Sequence, residues 1–100
     1  MSLVLKAHKT DDGRYFVVII DKELIGKKFD DGELQLDLTS QYYNGDESDE
    51  ERVLKVLSKA YSATFVGKKS VELGISKGYI EKERVIQISG IPTSQSLSTG

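Results

Sequence analysis

The stretch Tyr15-Phe-Val-Val-Ile-Ile20 constrains this chain most, because all six consecutive residues are of types that favour strands. A run apolar on both faces needs cover on both faces, which places it in the middle of a sheet. Just before it, Thr10-Asp-Asp-Gly-Arg14 carries the Asp and Gly that a tight reversal requires. Residues 2–8 alternate weakly, with Leu3, Leu5 and Ala7 on one face. Together these pieces predict a β-hairpin.

The rest follows by periodicity. DKELIGKKF, residues 21–29, has no clear period and predicts at most one loose helical turn. Asp30-Asp-Gly32 turns the chain. Glu33-Leu-Gln-Leu-Asp-Leu38 then alternates, so Leu34, Leu36 and Leu38 are expected in the core and Glu33, Gln35 and Asp37 in water. Ser48-Asp-Glu-Glu51 reads as a capping box, with Ser48 as the cap and Glu51 reaching back. Such a cap stabilises a helix by about 1 kcal/mol. Behind it Val53, Leu54, Leu57, Ala60 and Tyr61 share a helical face, Glu51 and Lys55 form an i,i+4 pair, and the helix is expected to end near Ser62. A second helix is expected over residues 68–77, burying Val71 and Ile75; Gly74 inside it costs about 1 kcal/mol relative to alanine, and Gly78 is a natural stop. Arg84-Val-Ile-Gln-Ile88 reads as a strand ended by Gly90 and Pro92, the only proline.

The predicted order is β-β-β-α-α-β. It implies an α+β fold, a two-layer sandwich with a mostly antiparallel four-stranded sheet and two helices on one face. One hundred residues support one modest core, expected over residues 1–92. Residues 93–100 hold one apolar side chain, Leu97, and are expected to form a flexible polar tail.

Fourteen Lys and Arg against sixteen Asp and Glu give a net charge of −2, which argues against coating nucleic acid through overall charge and leaves room for a local basic patch. Without cysteine there is no disulfide, thiolate zinc site or Cys nucleophile. The start lacks the apolar segment of a signal peptide, and no apolar run approaches membrane-spanning length. A soluble cytoplasmic protein without a membrane partner is expected.

The candidate chemistry is sparse. Leu24-Ile-Gly-Lys-Lys-Phe29 echoes Phe65-Val-Gly-Lys-Lys-Ser70, but the second copy fails as a phosphate-binding loop: Lys69 intervenes before Ser70, and Ser62 stands where the first glycine belongs. A softer reading puts Lys68 and Lys69 at an anion-friendly helix start, with Lys27 and Lys28 adding to it if the two loops are neighbours. Asp46-Glu-Ser-Asp-Glu-Glu51 fails as a calcium loop, because counting from Asn44 puts Asp49 where glycine is needed; acids at a helix start explain it. In Tyr42-Tyr43 one ring is expected in the core and one at the surface. His8, the single histidine, reads as a solvated strand residue. Only carboxylate chemistry remains, with Asp21 at the end of the most buried strand as its best representative. No metal and no cofactor is expected.

LVLKAHKT, IDKELIGKKFDDGELQL, QYYNG, ATFVGKKSVELGI and VIQISGIPTSQ, in that order along nearly the whole chain, resemble a family of small archaeal proteins known as domain of unknown function four-twenty-four. The resemblance implies an archaeal cytoplasmic α+β protein with no assigned activity and a loose association with translation genes. Asp21, Lys22, Leu24, Gly26, Tyr43, Gly45, Gly67, Gly90, Pro92 and Gln95 match the family pattern. Ile20 and Thr93 depart from it, standing where the family usually has Cys and His, which weakens any family mechanism built on a thiol or imidazole.

The leading expectation is a non-catalytic binding module in a translation-related RNA-protein or ribosome-associated assembly, contacting RNA or a ribosomal subunit through Lys27, Lys28, Lys68 and Lys69. The rivals are a small enzyme using Asp21 near the Pro92-Gln95 turn, and a protein-protein adaptor acting through a sheet edge or exposed apolar face.

Overall fold

The computed structural model describes residues 3–96. Eight strands and two α-helices run in the order β1 (Leu3–Lys9), β2 (Tyr15–Asp21), β3 (Lys28–Asp30), β4 (Gln35–Asp37), β5 (Asp46–Ser48), α1 (Glu50–Leu57), β6 (Ser62–Val66), α2 (Lys68–Ser76), β7 (Ile86–Ile88) and β8 (Ile91–Gln95). The fold is α+β. In place of four strands, six form one sheet in the order β5-β1-β2-β6-β8-β7, and β3 and β4 pair as a separate hairpin. Every pairing is antiparallel except β2 with β6, which the chain joins by a crossover through α1.

The apolar run occupies the interior position its composition demands. Val17 and Ile19 point to the helices and pack with Leu3, Leu5, Val53, Leu57, Phe65, Val71 and Leu73. Val18 and Ile20 point to the other face, where Leu24, Leu38 and Val66 join them and Ile25, Phe29, Leu36, Tyr43 and Ile91 pack alongside. Helices thus cover one face and the β3–β4 hairpin covers part of the other.

Several expectations are corrected. Leu38 is buried and Leu36 half-buried, but Leu34 is 44% exposed, because it stands outside the short ladder at the tip of the small hairpin. The cap of α1 is Asp49, whose side chain accepts from the Arg52 amide, while Ser48 ends β5 opposite Leu3. Both residue types cap well, and the strand pairing claims the serine. Among the described residues no ion pair joins Glu51 to Lys55. Helix α1 ends at Leu57, and Ser62 opens a strand absent from the sequence reading. Helix α2 ends at Ser76, and Gly78 follows with φ 79°. Gly74 earns its place by packing: a Cβ there would lie 2.9 Å from Ile80 Cγ1.

The largest correction lies at the C-terminal end. Thr93, Ser94 and Gln95 belong to β8, with Thr93 and Ser94 buried, where fraying was expected from residue 93. Leu97 lies outside the described residues. Ser89 and Gly90, with φ 52° and 82°, form a two-residue hairpin turn between β7 and β8. Next to such a turn Gln87 and Pro92 form a non-hydrogen-bonded pair, so Pro92 forfeits no bond to β7. Its pairing with β6 starts only at Thr93, and its carbonyl accepts from the Gly67 amide at 2.8 Å.

Candidate functional site

Two places combine chemistry-bearing residues. The first is the start of α2. Asp21, 3% exposed at the end of β2, accepts hydrogen bonds from the Lys69 amide (3.0 Å), the Ser70 amide (2.8 Å) and the Ser70 hydroxyl (2.8 Å). The carboxylate therefore caps a helix that follows a neighbouring strand, and it fills the free amides that would otherwise attract an external anion. Gly67 makes this possible. Its φ is 105°, and a Cβ would overlap the Asp21 carboxyl group.

Beside this cap lies a cavity of about 210 Å³ lined by residues including Asp21, Lys68, Lys69, Gly90 and Pro92. The sequence reading placed Asp21 and Pro92 in one candidate site, and the fold does bring them together. The polar side chains that follow do not join them. Thr93 donates to the Phe65 carbonyl (3.0 Å), Ser94 to the Arg84 carbonyl (3.3 Å), and the Gln95 amide to the Ser62 hydroxyl (3.0 Å). Thr93 and Gln95 tie β8 to β6, and Ser94 ties it to the turn before β7.

The lysine pairs are exposed. Lys68 and Lys69 open α2, and the Lys69 ammonium lies 4.0 Å from Glu23. Lys27 precedes β3, and Lys28 lies within it opposite Asp37; neither lines the cavity beside Lys68 and Lys69.

The second place was invisible as a motif. A groove of about 500 Å³ between α1 and the β1–β2 hairpin is lined by Ala7, Tyr15, Arg52, Lys55, Val56 and Lys59. Arg52 and Lys55 share one side of α1, and Lys59 continues their line in the turn beyond, where its amide donates to the Val56 carbonyl. At a helical rise the three span about 10 Å. Arg52 sits 3.7 Å from Asp46 in an exposed pair, whereas Lys55 and Lys59 have no ion-pair partner among the described residues. Tyr15, 40% exposed, forms the opposite wall with the Lys9 ammonium 5.7 Å from its ring centre. Three cations facing an aromatic ring, with no acid in the lining, suit an anionic ligand that also carries flat apolar groups. The i, i+3, i+7 spacing was readable in the sequence; the ring across from it depends on how α1 packs.

The family model described as "Protein of unknown function (DUF424)" matches residues 8–98. The chain belongs to the DUF424 family. Among solved structures it is similar to an uncharacterized conserved protein from Methanopyrus kandleri, at 17% identity and a TM-score of 0.80 over 95% of this chain and 90% of that one. At that identity the likeness establishes the fold. No curated protein matches the chain.

The residues that the sequence resemblance singled out have mostly architectural roles here. Asp21, Gly67 and Pro92 form the cap and its seat. Gly26 donates to the Leu38 carbonyl, tying the small hairpin down beside the buried Leu24. Gly45 runs so close to β1 that a Cβ would overlap the Leu5 carbonyl. Tyr43 packs half-buried on the second core cluster; the side chain of Tyr42 lies outside the description. Lys22 pairs with Glu47 at 2.8 Å on the surface, Gly90 makes the β7–β8 turn, and Gln95 bonds Ser62. Ile20 is fully buried, and Thr93 is bonded to backbone. His8 is half-buried in β1. No helix among the described residues is long and apolar enough to cross a membrane.

Proposed function

We propose that the protein is a non-catalytic binding module for an RNA strand, held in the groove between α1 and the β1–β2 hairpin. The observation that carries this reading is the line Arg52, Lys55 and Lys59 facing Tyr15, with no acid in the lining. Cations about a helical turn apart can follow successive phosphates of one strand, and the ring offers a base a face to stack on. The setting is a translation-related assembly, with a ribosomal subunit as the large partner. Lys27, Lys28, Lys68 and Lys69 become secondary to this groove, because the Asp21 carboxylate already occupies the α2 amides that would have strengthened an anion site there.

Equilibrium binding to RNA across a salt series tests the reading. Three phosphate contacts on a single strand give a log–log salt slope of about −2, or roughly a twentyfold loss in affinity over a fourfold rise in salt. A variant carrying Arg52→Glu, Lys55→Glu and Lys59→Glu is expected to lose binding and most of that slope. Lys27→Glu/Lys28→Glu and Lys68→Glu/Lys69→Glu variants are expected to stay within about threefold of the unaltered chain. Full binding by the groove variant sinks the proposal. Co-sedimentation with ribosomal subunits, with and without nuclease, tests the larger setting.

The enzyme reading loses its proposed partners, since Asp21 is committed to capping and Thr93, Ser94 and Gln95 to structural bonds. The adaptor reading keeps one observation: Ile86, 49% exposed, stands on the edge strand β7. The other edge, β5, carries Asp46 and Glu47, the kind of charge that discourages strand addition.

A further inference from the structure

Around the start of β2 from the groove lies a second group of rings that the groove does not use. Successive strand residues point to opposite sheet faces, so Tyr15 faces α1 and Phe16 faces away from it. On that far face the β3–β4 hairpin covers Val18, Ile20 and Val66 but leaves Phe16 at 36% exposed, with exposed Gln95 and half-buried Lys6, His8 and Thr64 on the same side of the sheet. Phe16 stacks on Tyr61 with centroids 5.6 Å apart and planes 24° from parallel. The Arg14 guanidinium lies 4.4 Å from the centre of the Tyr61 ring. Arg14, Tyr61 and Phe16 thus form a layered platform, open to solvent at Phe16. It begins one residue along the chain from the groove's own ring, Tyr15.

We propose, building on the groove reading, that the bound strand passes around the start of β2 and stacks a base on Phe16, so that the ligand is single-stranded nucleic acid with unpaired bases. Phosphate contacts alone accept duplex and single strand alike, whereas an aromatic platform needs a base out of its helix. The two rings of Tyr15 and Phe16 lie on opposite faces of one strand, so a chain engaging both has to bend around the sheet's end. A flexible single strand can do this, and a stiff duplex of the same length resists it. Arg14, whose guanidinium also pairs with Asp12 at 3.3 Å, polarises the stack through the Tyr61 ring.

The experiment measures anisotropy of labelled single-stranded RNA, single-stranded DNA, blunt duplex RNA and inorganic polyphosphate with the full chain and two variants. Phe16→Leu keeps an apolar side chain of similar reach over Tyr61 but removes the ring; far-UV circular dichroism and a urea midpoint confirm that it folds. It is expected to weaken single-strand binding about tenfold, within the range for loss of one base stack, without changing the salt slope or the affinity for polyphosphate. Single strands are expected to bind at least tenfold more tightly than duplex, and similar values for RNA and DNA would assign recognition to base and phosphate with no reading of the 2′-hydroxyl. Equal binding of single strand and duplex, or a Phe16→Leu variant that binds single strands as the unaltered chain does, overturns this inference. The groove variant separates the two ideas: if it loses binding while Phe16→Leu does not, the groove reading stands and the stacking platform falls. If the groove variant binds normally, the groove reading itself has failed.

Discussion

Asp21 drew notice in the sequence as the acid ending the most buried strand, and it is buried for a reason the sequence does not display. Its partners Lys69 and Ser70 lie 48 and 49 positions away, and nothing local announces that pairing. Ser70 is fully buried, so truncating Asp21 strands a hydroxyl and an amide away from water. Bonds to a charged group contribute about 1.5–3 kcal/mol each, and an orphaned buried donor costs about as much, so Asp21→Ala is expected to cost about 3 kcal/mol of stability. Ser70→Ala leaves the carboxylate two amides and is expected to cost about 1 kcal/mol. Gly67→Ala combines the left-handed backbone with overlap on the same carboxylate and is expected to cost about 2 kcal/mol or more. Urea titrations give all three values. A shift below about 1 kcal/mol for Asp21→Ala would mean that the cap contributes little. The groove residues show the same limit from the other side: the spacing of Arg52, Lys55 and Lys59 was plain, but only the packing of α1 brings Tyr15 opposite them.

Elements were legible where periodicity was long and failed where a strand was short or its pattern borrowed. The β1–β2 hairpin and α2 stand close to where the sequence puts them. The helical spacing of Ala60 and Tyr61 carries the expected helix on from Leu57 to Ser62 and leaves the residues after it unassigned; only pairing with β2 turns SATFV into a strand. Strand β8 hides behind its polar composition from Thr93 on and behind Pro92, a residue that sheet interiors usually exclude and that is accommodated here where β6 has ended. The β3–β4 hairpin was half seen, as one alternating strand without its partner. At its two ends sit Asp31 and Asp37, each held below the ordinary carboxyl value of 3.8. For Asp31 the chief cause is the Leu34 amide; for Asp37 it is the Thr39 hydroxyl, followed by the Thr39 amide. A depressed folded-state value means that the protonated form binds the fold less well. The contribution is therefore complete above the ordinary value and is lost as pH falls through and below it. Asp37→Asn is expected to lower the melting temperature near pH 7 and to converge with the unaltered chain as the pH falls well below 3.8. An unchanged gap at acid pH would show that its effect is not electrostatic.

At the scale of the molecule, composition hid as much as it revealed. A net charge of −2 is an average over acids on β5 and in the turns and cations gathered beside α1. Sheet closure was hidden in the same way, because a polar string reads as a tail until its partners are known. Strand β8 stands between β6 and β7, and without it β6 would present an open edge directly above the two-helix core. Its backbone and side chains tie in at several levels. Pro92 accepts from Gly67 at the seat of the α2 cap, Thr93 bonds the Phe65 carbonyl, and the Ser96 amide donates to Ala63 at 2.7 Å. A chain stopped after Pro92, at the limit first suggested for the domain, loses the whole β6–β8 ladder, which begins at Thr93. Three ladder pairs and the buried Thr93 and Ser94 go with it. At about 1 kcal/mol net per hydrogen bond, that loss is comparable with the entire stability of a domain this small. The truncated chain is expected to show no cooperative urea transition and to expose amides of β6 and β2 to rapid hydrogen exchange. A sigmoidal transition with an undiminished denaturant slope would show instead that the first six strands and both helices fold without their closing neighbour.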